Sequence, residues 1–221
     1  MTTTSVLEQS AVPAGKERRF PAGIRLTWLN LRSRHVPGGI LALAACGALL
    51  RAVLYWHWTF NSGPYAQLVP MIIAAGAAAL IAVTAHSPFG EVERATGRWL
   101  PYLRLFTALA LTGVAILALQ LGAVGENLND GVLVLARNVI GFTGLGMLCS
   151  LVTGGLLAWI LPMGYMVFCQ YALLEAWRAP WTWPVRPPPD RGAWICASVI
   201  FAAGLVLLTI LGPRTHPSDD S

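Results

Sequence analysis

Residues 132–174 read VLVLARNVIGFTGLGMLCSLVTGGLLAWILPMGYMVFCQYALL, and Arg137 is the single charged side chain among them. Crossing a bilayer takes about 20 mostly apolar residues, so this run is too long for one crossing and long enough for two. Gly154 and Gly155 stand in its middle. Glycine is the usual residue just past a helix C-terminus, because it accepts a left-handed backbone. The run therefore splits into two spans, 132–152 and 155–174. Pro162 and Gly164 fall inside the second span and are expected to kink it, since proline removes a backbone donor. Gly141, Gly144 and Gly146, then Gly154, Gly155 and Gly164, make both spans rich in small residues, and Gly146, Ser150 and Gly154 keep a small-xxx-small spacing that permits close helix approach.

Working outward, four further apolar runs occupy 38–58, 67–86, 105–124 and 192–211. The expected fold is all-α: a polytopic membrane helix bundle of six transmembrane helices over residues 36–212. Composition agrees. Of the 221 residues 56% are hydrophobic and 11% charged, and mean hydropathy is +0.61. A soluble globular chain carries about 25% charged residues. That balance excludes an ordinary soluble enzyme, a disordered chain and a secreted disulfide scaffold. Cys46, Cys149, Cys169 and Cys196 all fall within the proposed spans and form no CxxC. They read as small hydrophobes rather than zinc ligands or a redox pair.

The flanks set orientation. Residues 1–19 are polar, lack the apolar core of a signal peptide, and read as a disordered cytoplasmic tail; 213–221 read as a cytoplasmic tail. Residues 20–35, FPAGIRLTWLNLRSRH, place Ile24, Trp28 and Leu31 on one helical face, flanked by Arg25 and Arg32. A basic helix with a Trp suits the membrane surface, so an amphipathic interfacial helix is expected there. Basic residues cluster beside spans, which points to topology rather than nucleic acid. Ten of them (Lys16, Arg18, Arg19, Arg25, Arg32, Arg34, Arg94, Arg98, Arg104, Arg214) fall on the side of the termini. Three (Arg178, Arg186, Arg191) fall opposite. Both termini are therefore expected in the cytoplasm. Tyr55, Trp56 and Trp58, then Trp99 and Tyr102, then Trp177, Trp181 and Trp183 sit near span ends, where headgroup-level aromatics are favoured. The 175–191 loop, EAWRAPWTWPVRPPPDR, is expected to lie against the outer leaflet without folding on its own.

No catalytic, cofactor or metal site is expected. GxxxxGK[ST], HExxH and GxSxG are all missing, and with them the phosphate cradle, zinc-protease and nucleophile-elbow chemistries. His57 and His86 fall at opposite ends of their spans, about 30 Å apart across the bilayer, too far to share a haem iron. No acidic residue lies deep in a span, which counts against a proton relay. Three intramembrane polar residues are the candidates for a special role. Arg51 reads either as a site for an anionic group or ion pair, or as a side chain that snorkels to the headgroups. Arg137, followed by Asn138, is expected to pair with Glu126 or Asp130.

A basic surface helix, six spans with both ends inside, and a cytoplasmic loop after the second span resemble an ABC-2-type exporter permease. The loop HSPFGEVERATGRWLPYLR and the stretch ARNVIGFTGLGMLCSLVTGGLLAWILP are similar to small actinobacterial permease-like proteins found with ABC transporters. The resemblance covers residues 20–212. It implies a transmembrane permease subunit of the bacterial cytoplasmic membrane, working as a homodimer or beside a second permease. A separate ABC ATP-binding subunit would bind the ATP and supply energy. It also implies that residues 20–35 and 87–104 touch that ATPase. Within 87–104, Glu91, Glu93, Arg94 and Arg98 offer both charge signs and Trp99 anchors the return. Acidic residues contribute little to orientation, so Glu91 and Glu93 are either a surplus that sets partner specificity or complements to a helix dipole. ABC-2 permeases often carry short re-entrant helices before the last span; the proline-rich PVRPPP of 184–189 departs from that pattern. The alternative reading is a non-transporting assembly or regulatory subunit.

Overall fold

A computed structural model of the chain describes residues 36–56, 68–85, 100–125, 131–175, 177 and 179–211. These form helices α1 (Val36–Tyr55), α2 (Leu68–Ala85), α3 (Leu100–Ala123), α4 (Gly131–Thr153), α5 (Ile160–Leu174) and α6 (Arg191–Leu211). Two short 3-10 turns, Gly155–Leu157 and Pro180–Val185, punctuate the chain before and after α5. No strand occurs among the described residues.

Five helical stretches are long and apolar enough to cross a membrane: Pro37–Tyr55, Arg104–Ala123, Gly131–Thr153, Gly155–Leu174 and Arg191–Leu211. The sixth, Leu68–Thr84, is shorter. The fold is a helical bundle of multi-pass membrane character. Its surface supports this: Leu41, Val152, Leu156 and Ile210 are each more than 70% exposed. Water-soluble monomers rarely leave so much contiguous apolar surface bare.

Helix α4 is the centre of the bundle and packs most extensively on α6 and α2, while α1 packs mainly on α3. Of the α4 stretch 61% is buried, against 17% for α6. The short α2 is also largely enclosed: Ala74, Ala75, Ala77, Ala78, Ala79, Ile81 and Ala82 are all buried. Inside lipid, apolar transfer supplies little drive for helices to associate, so small residues that let backbones approach carry the packing. At Gly47 an added Cβ would stand 2.4 Å from Ala118 O, and at Gly122 it would stand 2.4 Å from Gly47 O. At Gly144 it would meet Phe201 Cα at 2.6 Å, and at Gly204 it would meet Gly144 O at 2.7 Å. These two seams, α1–α3 and α4–α6, are backbone against backbone. At Gly146 an added Cβ would meet the Ala82 side chain of α2 at 2.8 Å.

The long run quoted first breaks where its glycines stand. Helix α4 stops at Thr153, and Gly154 takes φ +82°, a backbone that only glycine adopts without strain. The next span is interrupted near its start, where the Gly155–Leu157 3-10 turn gives way to α5. Helix α5 begins at Ile160, so Pro162 lies in its first turn, where a missing N–H has no intrahelical partner to lose. The four cysteines are free and lie in α1, α4, α5 and α6.

Candidate functional site

The features that stand out chemically gather at one end of the bundle, where α1 and α3 finish and α4 and α6 begin. Arg137 lies in the second turn of α4 and is 0% exposed. Its Nη1 donates to Pro187 O at 3.0 Å and its Nη2 donates to Arg186 O at 2.6 Å. The adjacent Asn138 is buried and donates from Nδ2 to Pro184 O at 3.4 Å. One turn further along α4, Gly141 leaves room for an indole: an added Cβ would stand 2.5 Å from Trp183 Nε1. Trp183 is 1% exposed, stacks on Tyr165 of α5 at 4.6 Å between ring centroids, and meets Phe142 at 6.3 Å. The segment from Trp183 to Pro187 thus runs along α4 from Gly141 to Arg137 and enters the bundle between α4, α5 and α6.

The expectation that 175–191 lies against the outer leaflet without folding on its own is overturned by this geometry. Trp177 and Trp181 are 46% and 58% exposed, as interfacial anchors should be, but Trp183 is core. The physical reason is proline. Pro184, Pro187 and Pro188 cannot donate backbone hydrogen bonds, while the carbonyls of this stretch, the prolines' own included, still need donors. Arg137, Asn138 and Trp194 provide them, the last through Nε1 to Pro188 O at 3.1 Å. The segment closes with Asp190, whose Oδ1 accepts the Ala193 N–H at 3.2 Å and caps α6. Its other oxygen accepts from Arg186 Nε. The Ala193 N–H, together with the Arg186 guanidinium, holds the Asp190 carboxyl below the ordinary carboxylate value.

Arg137 therefore engages main-chain carbonyls, where an acidic partner was expected; Glu126 and Asp130 lie outside the described residues. Arg137 Nε, Asn138 Oδ1 and Trp183 Nε1 have no hydrogen-bond partner among the described residues. Arg51 behaves differently. It is exposed, and its Nη1 donates to Val124 O at 2.8 Å, just past the end of α3. The Arg51 side chain thus reaches toward a helix end, with a favourable charge at the negative pole of α3.

The remaining candidates, Glu91, Glu93, Arg94, Arg98 and Trp99 of the loop and Ile24, Arg25, Trp28, Leu31 and Arg32 of the interfacial helix, lie outside the described residues, as do His57 and His86. Among the described residues no three His, Cys, Asp or Glu side chains gather as a metal site would require. From the sequence Trp183 was read as a headgroup-level aromatic and Gly141 as one of the small residues of the fourth span, neither as part of a site, and Asp190 was not singled out. An Asp directly before a helical run is an N-cap signal, so Asp190 had a readable mark; the burial of Trp183 beside Gly141 is a tertiary match with none. Comparison of the chain with protein-family models, curated proteins and solved structures gives no match.

Proposed function

We propose that the chain is the transmembrane permease subunit of an ATP-driven exporter of the ABC-2 type. It crosses the bacterial cytoplasmic membrane six times with both termini inside, as a homodimer or beside a second permease. A separate ATPase supplies energy and docks on residues 87–104 and on the basic segment 20–35. The observation that supports this reading most is the segment before the last helix, which enters the bundle between α4, α5 and α6. A short 3-10 turn, Pro180–Val185, precedes the last helix and carries Trp183 into the bundle; the remainder of the proline-rich stretch, 186–189, is not helical. The cargo is amphipathic or apolar, because the described helices offer a migrating molecule almost no polar surface.

Purification from the native membrane tests the reading. A stoichiometric ATP-binding chain is expected to accompany the protein. The double reversal Glu91→Lys and Glu93→Lys is expected to strip that chain away while insertion persists, since added cytoplasmic positive charge reinforces orientation. Recovery of the protein without any ATP-binding chain, beside other membrane subunits, would replace the permease by an assembly or regulatory role. Topology is checked independently by cysteine labelling in intact cells: Asn127→Cys should react from outside and Ala95→Cys should not.

A further inference from the structure

Outside the α4–α6 side, one polar group stands in an otherwise apolar, open groove. Ala44, Ala48 and Arg51 of α1 face Ala118 and Leu121 of α3 across a floor made by Gly47 and Gly122, enclosing about 300 Å³. The floor is low because the two backbones touch there, as the glycine contacts require. The walls are low because three of the four apolar residues lining them are alanine. Ala44, Ala48, Arg51 and Leu121 are all exposed. The groove is therefore a lengthwise trough on the membrane-facing surface rather than a closed cavity.

Arg51 marks one end of it. The guanidinium is held at the level of the α3 terminus by its bond to Val124 O. Tyr55 and Trp56, exposed at 70% and 61%, close α1 at the same level, where aromatic side chains favour headgroups. From Arg51 down to Ala44 the trough runs ~10 Å along the helix, toward the hydrocarbon interior. One nitrogen of Arg51 is engaged by Val124; a guanidinium carries five N–H donors, arranged to match a phosphate. A cation at headgroup level above an apolar trough of that length has the shape of a phospholipid binding site, with phosphate above and one acyl chain below.

We infer that this trough binds an anionic phospholipid, its phosphate on Arg51 and one acyl chain between α1 and α3. The occupant follows from charge. A second copy of the chain packed here by two-fold symmetry would bring its own Arg51 toward this one, because the same patch meets itself in such contacts. Two like charges in a low-dielectric setting repel strongly. A zwitterionic lipid would present its own cation beside the guanidinium. The inference rests on membrane insertion only and is independent of the transport reading.

The test is retention of lipid by the full-length protein. The protein is reconstituted in nanodiscs of equal parts phosphatidylglycerol and phosphatidylcholine, released, and weighed by native mass spectrometry. Wild type should keep the anionic lipid over the zwitterionic one roughly fivefold, the factor given by about 1 kcal/mol per basic residue near an anionic surface. Arg51→Gln should abolish the preference, and Arg51→Lys should keep part of it. Ala48→Phe, which fills the trough but leaves the cation, should reduce retention of both lipids. If Ala48→Phe does not fold, the Gln and Lys pair still decides. Equal retention of the two lipids by wild type, or an unchanged preference in Arg51→Gln, overturns the proposal. So does efficient disulfide dimerisation of Ala48→Cys above the native cysteine background, which would assign the face to a second copy.

Discussion

The α1–α3 seam and the α4–α6 seam are built alike. In each, glycines bring two backbones into contact, and an arginine on one helix donates to main-chain carbonyls beside the neighbouring helix's end. They differ in what lies over the arginine. On the α4–α6 side the 179–190 segment folds across, and Arg137 is wholly buried; on the α1–α3 side Arg51 stays exposed. The same side chain with the same kind of acceptor thus has two consequences. A buried donor is harder for water to replace, so its loss weakens the hold on the carbonyls it serves. An exposed donor can be replaced, and its remaining N–H groups are open to a ligand. The comparison assigns a structural role to Arg137 and a surface role to Arg51.

The sharpest way to break this contrast is to remove the two arginines separately. Arg137→Met removes two charge-assisted hydrogen bonds to the part-buried carbonyls of Arg186 and Pro187, each worth about 1–3 kcal/mol. A loss of about 2–5 kcal/mol is expected in thermal unfolding of the solubilised protein. Arg137→Lys should recover only part, because a compact ammonium lacks the fork that reaches two successive carbonyls. Arg51→Met should lose less than about 1 kcal/mol, the scale of an exposed charge at a helix C-terminus. Equal losses at the two sites would end the distinction.

The glycines should show no such contrast. Gly47→Ala and Gly144→Ala each push a Cβ against backbone of the partner helix, at 2.4 Å and 2.6 Å. Backbone cannot rotate out of the way, so each is expected to cost about 1–3 kcal/mol. Similar losses at the two positions would sharpen the comparison by confining the difference to the arginines. Gly141→Ala should fall at the lower end of that range. Its clash is with the Trp183 indole, a side chain whose ring can tilt, and a shift in the near-ultraviolet circular dichroism should accompany it.

The two sides also differ in how legible they were in the sequence. The helices were readable because each is a long apolar run, and the α4–α5 break because Gly154 and Gly155 interrupt one. The seams were half readable. Gly144 and Gly146 were visible as small residues in the fourth span, but their contacts with Phe201 and Ala82 depend on which helices neighbour each other, and no spacing within one helix encodes that. Gly47 and Gly122 were not singled out, for the same reason. The 179–190 segment misled most. Its prolines and tryptophans match an interfacial loop in composition, and only the donors on α4, more than forty positions earlier in the chain, make it foldable within the bundle. Arg137 was marked as exceptional by its charge inside a span, but its partners are carbonyls, which belong to every residue and leave no trace in a sequence.

The smallest expected effect concerns Asp190, and it separates the two sides by acid. Its carboxylate accepts the Ala193 N–H at the start of α6 and the Arg186 side chain, and these hold it below its ordinary value of 3.8. A carboxyl with a lower value in the folded state contributes stability that is fully present above the unfolded value. That contribution is lost as pH falls through the folded one. Acidification below 3.8 should therefore loosen the anchorage of the 179–190 segment. Asp190→Asn retains an oxygen to cap α6 and removes the titrating charge, so it should flatten the pH dependence while leaving α6 in place. The measurement is amide hydrogen exchange of residues 183–194 against residues 47–56, taken from neutral pH to about pH 3 and corrected for the intrinsic acid dependence. Protection should fall in the first set and hold in the second, whose described residues include no carboxylate. Parallel loss in both would mean that acid acts on the bundle as a whole, and the pinned segment would then have no pH response of its own.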